Sequence, residues 1–148
     1  IFPGDGTALE NTLAIAEHWV RQGHVEFGGD HWAITFEDEP AGGCGIGRGD
    51  GHLRCNAEIG YWLAERHWGR GVGSRVARAL AERAFADPEV TRVFAPIHAH
   101  NAASMRVAEK AGLAREGLRP QSAIKDGRVI DLVIYARYRN AVPRPTAP

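Results

Sequence analysis

Between Trp68 and Ser74 the chain reads Trp-Gly-Arg-Gly-Val-Gly-Ser, with glycines at alternate positions 69, 71 and 73. A loop without Cβ atoms lets successive backbone N–H groups close around an anion. It follows a strand-like run, residues 57–63, and precedes a helix-like run, residues 74–85. The positive end of the helix dipole therefore falls at the same place. This is the chemistry of a phosphate cradle, and it predicts a phosphorylated ligand. Other chemically useful side chains flank it. Glu58 lies in the strand-like run, where burial raises a carboxyl pKa and suits it to relay a proton. The alternative is a structural carboxylate bonded to a neighbouring strand or an arginine. Past the helix, His98 and His100 precede Asn101 and Ser104, two residue types that sit together on one helix turn. Asn101 equally suits the helix N-cap. The histidines titrate near neutral pH, but no third ligand stands at zinc-like spacing, so no metal is expected.

Three kinds of phosphate loop are to be compared. A nucleotide P-loop needs Lys and then Ser or Thr after its last glycine; here Ser74 and Arg75 follow Gly73. A dinucleotide loop needs G-x-G-x-x-G and an acidic residue at the end of the next strand. This loop is G-x-G-x-G, and the next strand runs out into Ile97-His98-Ala99-His100-Asn101. The third kind is an acetyl-CoA pyrophosphate loop. Residues 68–73 resemble the Gln/Arg-x-x-Gly-x-Gly/Ala loop of the GNAT acyltransferase superfamily at Gly71 and Gly73, with Trp68 where Gln or Arg is usual. That variant resembles the branch typified by the RimJ/RimL N-terminal acetyltransferases. Asn-Ala-Ala-Ser-Met-Arg-Val-Ala-Glu-Lys-Ala-Gly-Leu, residues 101–113, is similar to that branch's N-x-x-S-x-R-V-x-E-K-x-G-F segment, and residues 57–63 resemble its strand into the loop.

The resemblance implies a mixed α/β (α+β) GNAT fold: a mostly antiparallel central sheet with one splayed parallel strand pair, flanked by helices. It implies transfer of acetyl from acetyl-CoA to a primary amine in a ternary complex, with no covalent enzyme intermediate. The backbone of Trp62, Leu63 and Ala64 would hold the pantetheine arm and thioester carbonyl. Gly69, Arg70, Gly71, Val72, Gly73 and Ser74 would hold the pyrophosphate. Asn101 would bond the pantetheine amides, Ser104 would lie near the sulfur and help protonate the thiolate, and Lys110 would reach a CoA phosphate. Glu58 is the candidate base: its Ala-Glu-Ile setting is also found in GNAT enzymes that use a glutamate there. Two family features are absent. Ala108 stands where many members carry a tyrosine acid, and no carboxylate follows Glu116-Gly117 as in RimL-type enzymes. The alternative is a non-catalytic acyl-CoA-binding sensor or scaffold. The acceptor would be a protein N-terminus or a small-molecule amine, and a homodimer through the last hairpin or the N-terminal helix fits the family. The family also places a strand ahead of the region that residues 2–23 match, so the N-terminal strand is expected to be missing.

At 148 residues, 44% hydrophobic, the chain suits one domain, residues 1–142, with a Pro-rich disordered tail over 143–148. Eighteen basic and eighteen acidic residues give no argument for nucleic acid or a membrane surface. No apolar run reaches transmembrane length. Cys44 and Cys55 are too sparse for a disulfide framework and read as thiols buried in strands, so a cytoplasmic enzyme is expected. Hydrophobic periodicity predicts a helix over 7–22, strands over 31–37, 41–47 and 53–63, and a helix over 74–86 with Val72, Val76, Ala79, Leu80 and Ala84 inward. A strand over 90–97 parallel to 53–63 follows, then a helix over 102–111 ended by Gly112. A hairpin of 113–124 and 128–139 turns at Asp126-Gly127, with Asp131 either orienting an amine or facing solvent.

Overall fold

The structure is a computed structural model that describes residues 29–140. The helix expected over 7–22 and the tail over 143–148 lie outside the described residues. Six strands form one sheet: β1 (Gly29–Phe36), β2 (Glu39–Arg48), β3 (Asn56–Leu63), β4 (Arg92–His98), β5 (Ala114–Lys125) and β6 (Arg128–Tyr138). Their spatial order is β1-β2-β3-β4-β6-β5. Helix α1 (Val72–Phe85) crosses from β3 to β4, and α2 (Ala102–Lys110) joins β4 to β5. Neighbouring strands are antiparallel except β3 and β4, which run parallel because a helix carries the chain back between them. The expected mixed α/β architecture is the one observed.

Alternation along β3 gives the sheet two different faces. Ala57, Ile59, Tyr61 and Leu63 enter the main core with Ala77, Leu80, Ala81 and Ala84 of α1 and Ala108 of α2. Glu58, Gly60 and Trp62 point to the other face, where Phe94, Ile134 and Ala136 form a second cluster. Both faces are buried along this strand, which explains why its sequence reads as a nearly continuous apolar run.

Several boundaries move for local reasons. Residues 53–55 are not strand: Asp50 accepts from the Gly51 N–H and starts a 3-10 turn over Gly51–Leu53. Cys55 accordingly lies in a turn and is half-buried, whereas Cys44 in β2 is buried, its thiol pushed up to about 11 by burial. Helix α1 begins at Val72, because Gly71 at φ +74° turns the chain into it. Ala77 and Ala81 then face the sheet, while Ala79 is exposed and Val76 half-buried. β4 begins at Arg92 and not at Val90, whose N–H donates to the Asp87 carbonyl in a turn. Asp131 Oδ1 accepts from the Gln121 N–H at 2.8 Å, holding an irregular segment of β5 where Gln121 has φ +53°. Its side chain is thus part of the hairpin's own architecture.

The β3–β4 pairing is short. It covers Asn56–Arg92, Ala57–Val93 and Glu58–Phe94 and then stops, although both strands continue. The paired end is fastened by Arg92, which donates to both Glu116 oxygens, at 2.8 and 2.5 Å, and to Asn56 Oδ1 at 2.8 Å. The Tyr138 hydroxyl also donates to Glu116. Arg139 donates to the carbonyls of Phe85, Asp87 and Val90, fixing the C-terminal end of α1 beside it.

Candidate functional site

Past Glu58 and Phe94 the facing edges of β3 and β4 no longer bond to each other. A cavity of about 210 Å³ lies at this open end, on the helix-bearing face. Tyr61 and Leu63 of β3, the loop at His67, Trp68, Gly69 and Gly71, the first turn of α1, and Ala103, Arg106, Val107 and Lys110 of α2 contribute its walls.

The loop geometry follows from its glycines. Gly69 and Gly71 both adopt left-handed backbone, at φ +73° and +74°, which side chains disfavour. The first helical bond of α1 runs from the Arg75 N–H to the Gly71 carbonyl at 3.2 Å. The N–H groups of Val72, Gly73 and Ser74 have no intrahelical acceptor. No carboxylate occupies this first turn, and Gly71 supplies no side-chain cap. A Cβ on Gly73 would meet Val107 and Leu63 at 3.4 and 3.5 Å, so glycine lets α1 pack close to β3 and α2. The result is a cluster of N–H donors at a positive helix end, suited to an anion. Arg106 and Lys110, four apart on α2, line the same cavity and add positive charge.

The predicted residues divide between cavity and surroundings. Leu63, Gly69, Gly71, Val72, Gly73, Ser74 and Lys110 line the cavity. Arg70 turns away, toward the Phe36 ring and Glu37, 4.0 Å from its carboxylate. Trp62 and Ala64 are buried, and the Ala64 N–H is taken by the Ala41 carbonyl at 2.8 Å. The Leu63 carbonyl accepts from Trp68 Nε1 at 3.0 Å, which ties the cradle loop to the end of β3. Asn101 takes the N-cap position of α2, its Oδ1 accepting from the Ser104 N–H at 3.1 Å. Ser104 is buried in the first turn of that helix. Glu58, only 6% exposed, sits at the last paired position of β3, where the strands part, on the face opposite the helices.

Tyr61 and His67 line the cavity, as Trp68, Ala103, Arg106 and Val107 do, without having been singled out from the sequence. Tyr61 is 9% exposed and His67 is 6% exposed, and neither the Tyr61 hydroxyl nor His67 Nδ1 has a hydrogen-bond partner. A buried polar group left this way costs about 1–3 kcal/mol. Burial raises the Tyr61 pKa, partly offset by the neighbouring Ser104 side chain. Burial, then the Arg66 and Arg70 charges, hold the His67 pKa low. Arg66 Nε donates to His67 Nε2 at 3.1 Å, so the imidazole proton is on Nδ1. Period-2 spacing from Leu63 was the available signal for Tyr61; nothing in the sequence separated His67 from an exposed loop histidine. Among the described residues no group of His, Cys, Asp and Glu is arranged to hold a metal, and no helix is long and apolar enough to cross a membrane.

The chain is similar to known proteins in sequence and in fold. The acetyltransferase (GNAT) domain family matches residues 2–114. An uncharacterized N-acetyltransferase, p20, of Bacillus licheniformis is 30% identical over 70% of this chain and 57% of its own length. The ribosomal-protein-serine acetyltransferase of Escherichia coli is 34% identical over 70% of this chain and 58% of its own. The chain thus spans somewhat over half the length of these curated relatives. The solved structure of RimL, a ribosomal L7/L12 alpha-N-protein acetyltransferase in complex with coenzyme A, superposes with a TM-score of 0.69 at 25% identity, covering 92% of this chain and 76% of that one. Because the family match takes in the parting strands, the glycine loop and α2 in one continuous span, the chain belongs to the GNAT acetyltransferase family.

Proposed function

We propose that this chain transfers an acetyl group from acetyl-CoA to a primary amine by direct attack in a ternary complex. The observation that carries this reading is the parting of β3 and β4 at Glu58–Phe94, with an anion-binding helix start at the same end. Beyond Glu58 and Phe94 no β3–β4 pairing closes the sheet. The cavity lies on the helix face of this parting, and Glu58 lies on the other face.

That division assigns the work. The N–H groups of Val72, Gly73 and Ser74 hold the pyrophosphate, with Arg106 and Lys110 adding charge at the rim. The cavity is below the usual range of whole-ligand pockets, about 300–1,000 Å³, so it suits the slender pantetheine arm. The arm runs along the unpaired edge of β3 toward the gap, and holding the thioester there supplies proximity to the amine. A β3 backbone N–H stabilises the developing oxyanion. Glu58, on the far face, accepts the proton that the attacking amine must lose, directly or through water. The similarity to RimL, an alpha-N-protein acetyltransferase, favours a protein N-terminus among the primary amines.

The test is CoA thiol release from acetyl-CoA with a panel of N-terminal peptides, polyamines, amino acids and aminoglycosides. Release with one class is expected and names the acceptor. Binding of acetyl-CoA without release to any amine would turn the reading toward an acyl-CoA-binding module.

A further inference from the structure

Acetyl transfer from a thioester needs a proton on the leaving side as well as a base on the attacking side. Glu58 and Tyr61 lie on opposite faces of β3, three residues apart. A carboxylate on the far face is badly placed to protonate a sulfur arriving from the helix face. Tyr61 belongs to the stretch of β3 that no longer pairs with β4, and its side chain both lines the cavity and is almost wholly buried. Its hydroxyl has no hydrogen-bond partner. The Ser104 side chain lies next to it without completing a hydrogen bond. Ser104 is held in place because its own N–H is capped by Asn101. An alcohol alone is a poor proton source for a thiolate unless its oxygen is reprotonated as it gives its proton away. A phenol beside it answers that need.

We propose that the Tyr61 phenol is the proton source for the departing CoA thiolate, acting through the Ser104 hydroxyl. This rests on the acetyl-transfer reading above. As the C–S bond breaks, its electron pair moves to sulfur. The sulfur takes the Ser104 hydroxyl proton, and the Ser104 oxygen takes the proton of Tyr61. The phenolate is reprotonated from solvent once CoA leaves. The surplus proton of the amine departs by way of Glu58 on the other face, so the reaction consumes no net proton. Burial keeps Tyr61 protonated across the neutral range, so the proton is present when the thioester arrives.

The test uses the whole chain and two measurements. Tyr61→Phe is expected to lower kcat about 10²-fold with the KM for acetyl-CoA unchanged. Ser104→Ala should cause a similar loss, and the double variant little more, as for two members of one relay. The second measurement is titration calorimetry of CoA against desulfo-CoA, which lacks the sulfur. The wild type should prefer CoA, Ser104→Ala should erase the preference, and Tyr61→Phe should diminish it. Equal wild-type affinity for the two ligands, or an undiminished preference or kcat in Tyr61→Phe, overturns the proposal. Failure of the transfer reading looks different: no amine releases thiol in the wild type, while the CoA–desulfo-CoA comparison still decides Tyr61.

Discussion

At the paired end of β3 and β4, Arg92 joins Asn56, Glu116 and, through Glu116, Tyr138, while the Cys55 carbonyl accepts from both the Thr91 and Arg92 N–H groups. At the diverging end, the Tyr61 hydroxyl, Trp62 Nε1 and His67 Nδ1 are buried without partners. Of the buried unpartnered side-chain atoms among the described residues, only Arg48 Nε lies at the paired end. The same two strands are thus closed by charge-assisted hydrogen bonds at one end and left with unmet hydrogen-bonding capacity at the other. Each unmet group costs about 1–3 kcal/mol, a cost that a polar ligand arm entering the gap would relieve. One end holds the sheet together so that the other can stay open.

This contrast can be broken from either end. Glu58→Gln, at the point where the strands part, should lower kcat about 10²- to 10⁴-fold and leave acetyl-CoA affinity intact, as read by steady-state kinetics beside calorimetry. An unchanged kcat would remove Glu58 from the base role. Gly71→Val places a β-branched residue at φ +74° and should distort the cradle. CoA binding should weaken about 10²-fold, in keeping with several lost anion contacts, while the cooperative unfolding transition persists. Retained tight binding would dismiss the cradle. Arg92→Met should do the reverse. It should destabilise the fold by about 2 kcal/mol in urea denaturation, roughly a 30-fold change in the unfolding constant, because Glu116 and Asn56 lose their charged partner. CoA affinity should change far less than stability.

The smallest effect is one of pH. Hydrogen bonding to Arg92 holds the Glu116 pKa below its ordinary value, against an opposing push from burial. The folded state therefore binds that proton less readily than the unfolded chain. The stabilisation is fully present above the ordinary glutamate value of 4.5 and is lost as pH falls through the lowered folded value. Melting temperatures followed downward from neutral pH should drop in this window, and Glu116→Gln should flatten that part of the profile. An identical slope in the variant would show that other carboxylates, Asp87 with its Arg48 partner among them, carry the acid sensitivity.

Much of the sheet was legible because strand and helix periodicities differ. Trp32, Ile34 and Phe36 alternate onto the helix-bearing face of β1 as their spacing predicts. Residues 53–55 misled because an apolar residue beside the strand looks like more strand, whereas Asp50 bonds the backbone into a turn. On α1 the expected inward positions Val72, Leu80 and Ala84 are buried and Val76 packs against the core, but Ala79 is exposed and Ala77 and Ala81 face the sheet in its place. Alanine at all three positions gives the sequence no contrast by which to tell them apart. Arg70, between two glycines, has the sequence position of a phosphate ligand, but its long side chain reaches back to Glu37 and Phe36, partners invisible to local spacing.

The sequence by itself determined the parts whose chemistry is local: the left-handed glycines, the uncapped helix start they produce, the Asn101 cap, and the crossover that forces β3 and β4 to run parallel. Tertiary structure alone decided where that parallel pairing ends, which face Glu58 shares with Trp62, and that Tyr61 and His67 are buried in one cavity with their polar atoms unmet. The physical reason is range. Backbone conformation and capping are settled within a few residues. Burial, strand divergence and the absence of a hydrogen-bond partner depend on groups brought together from distant parts of the chain.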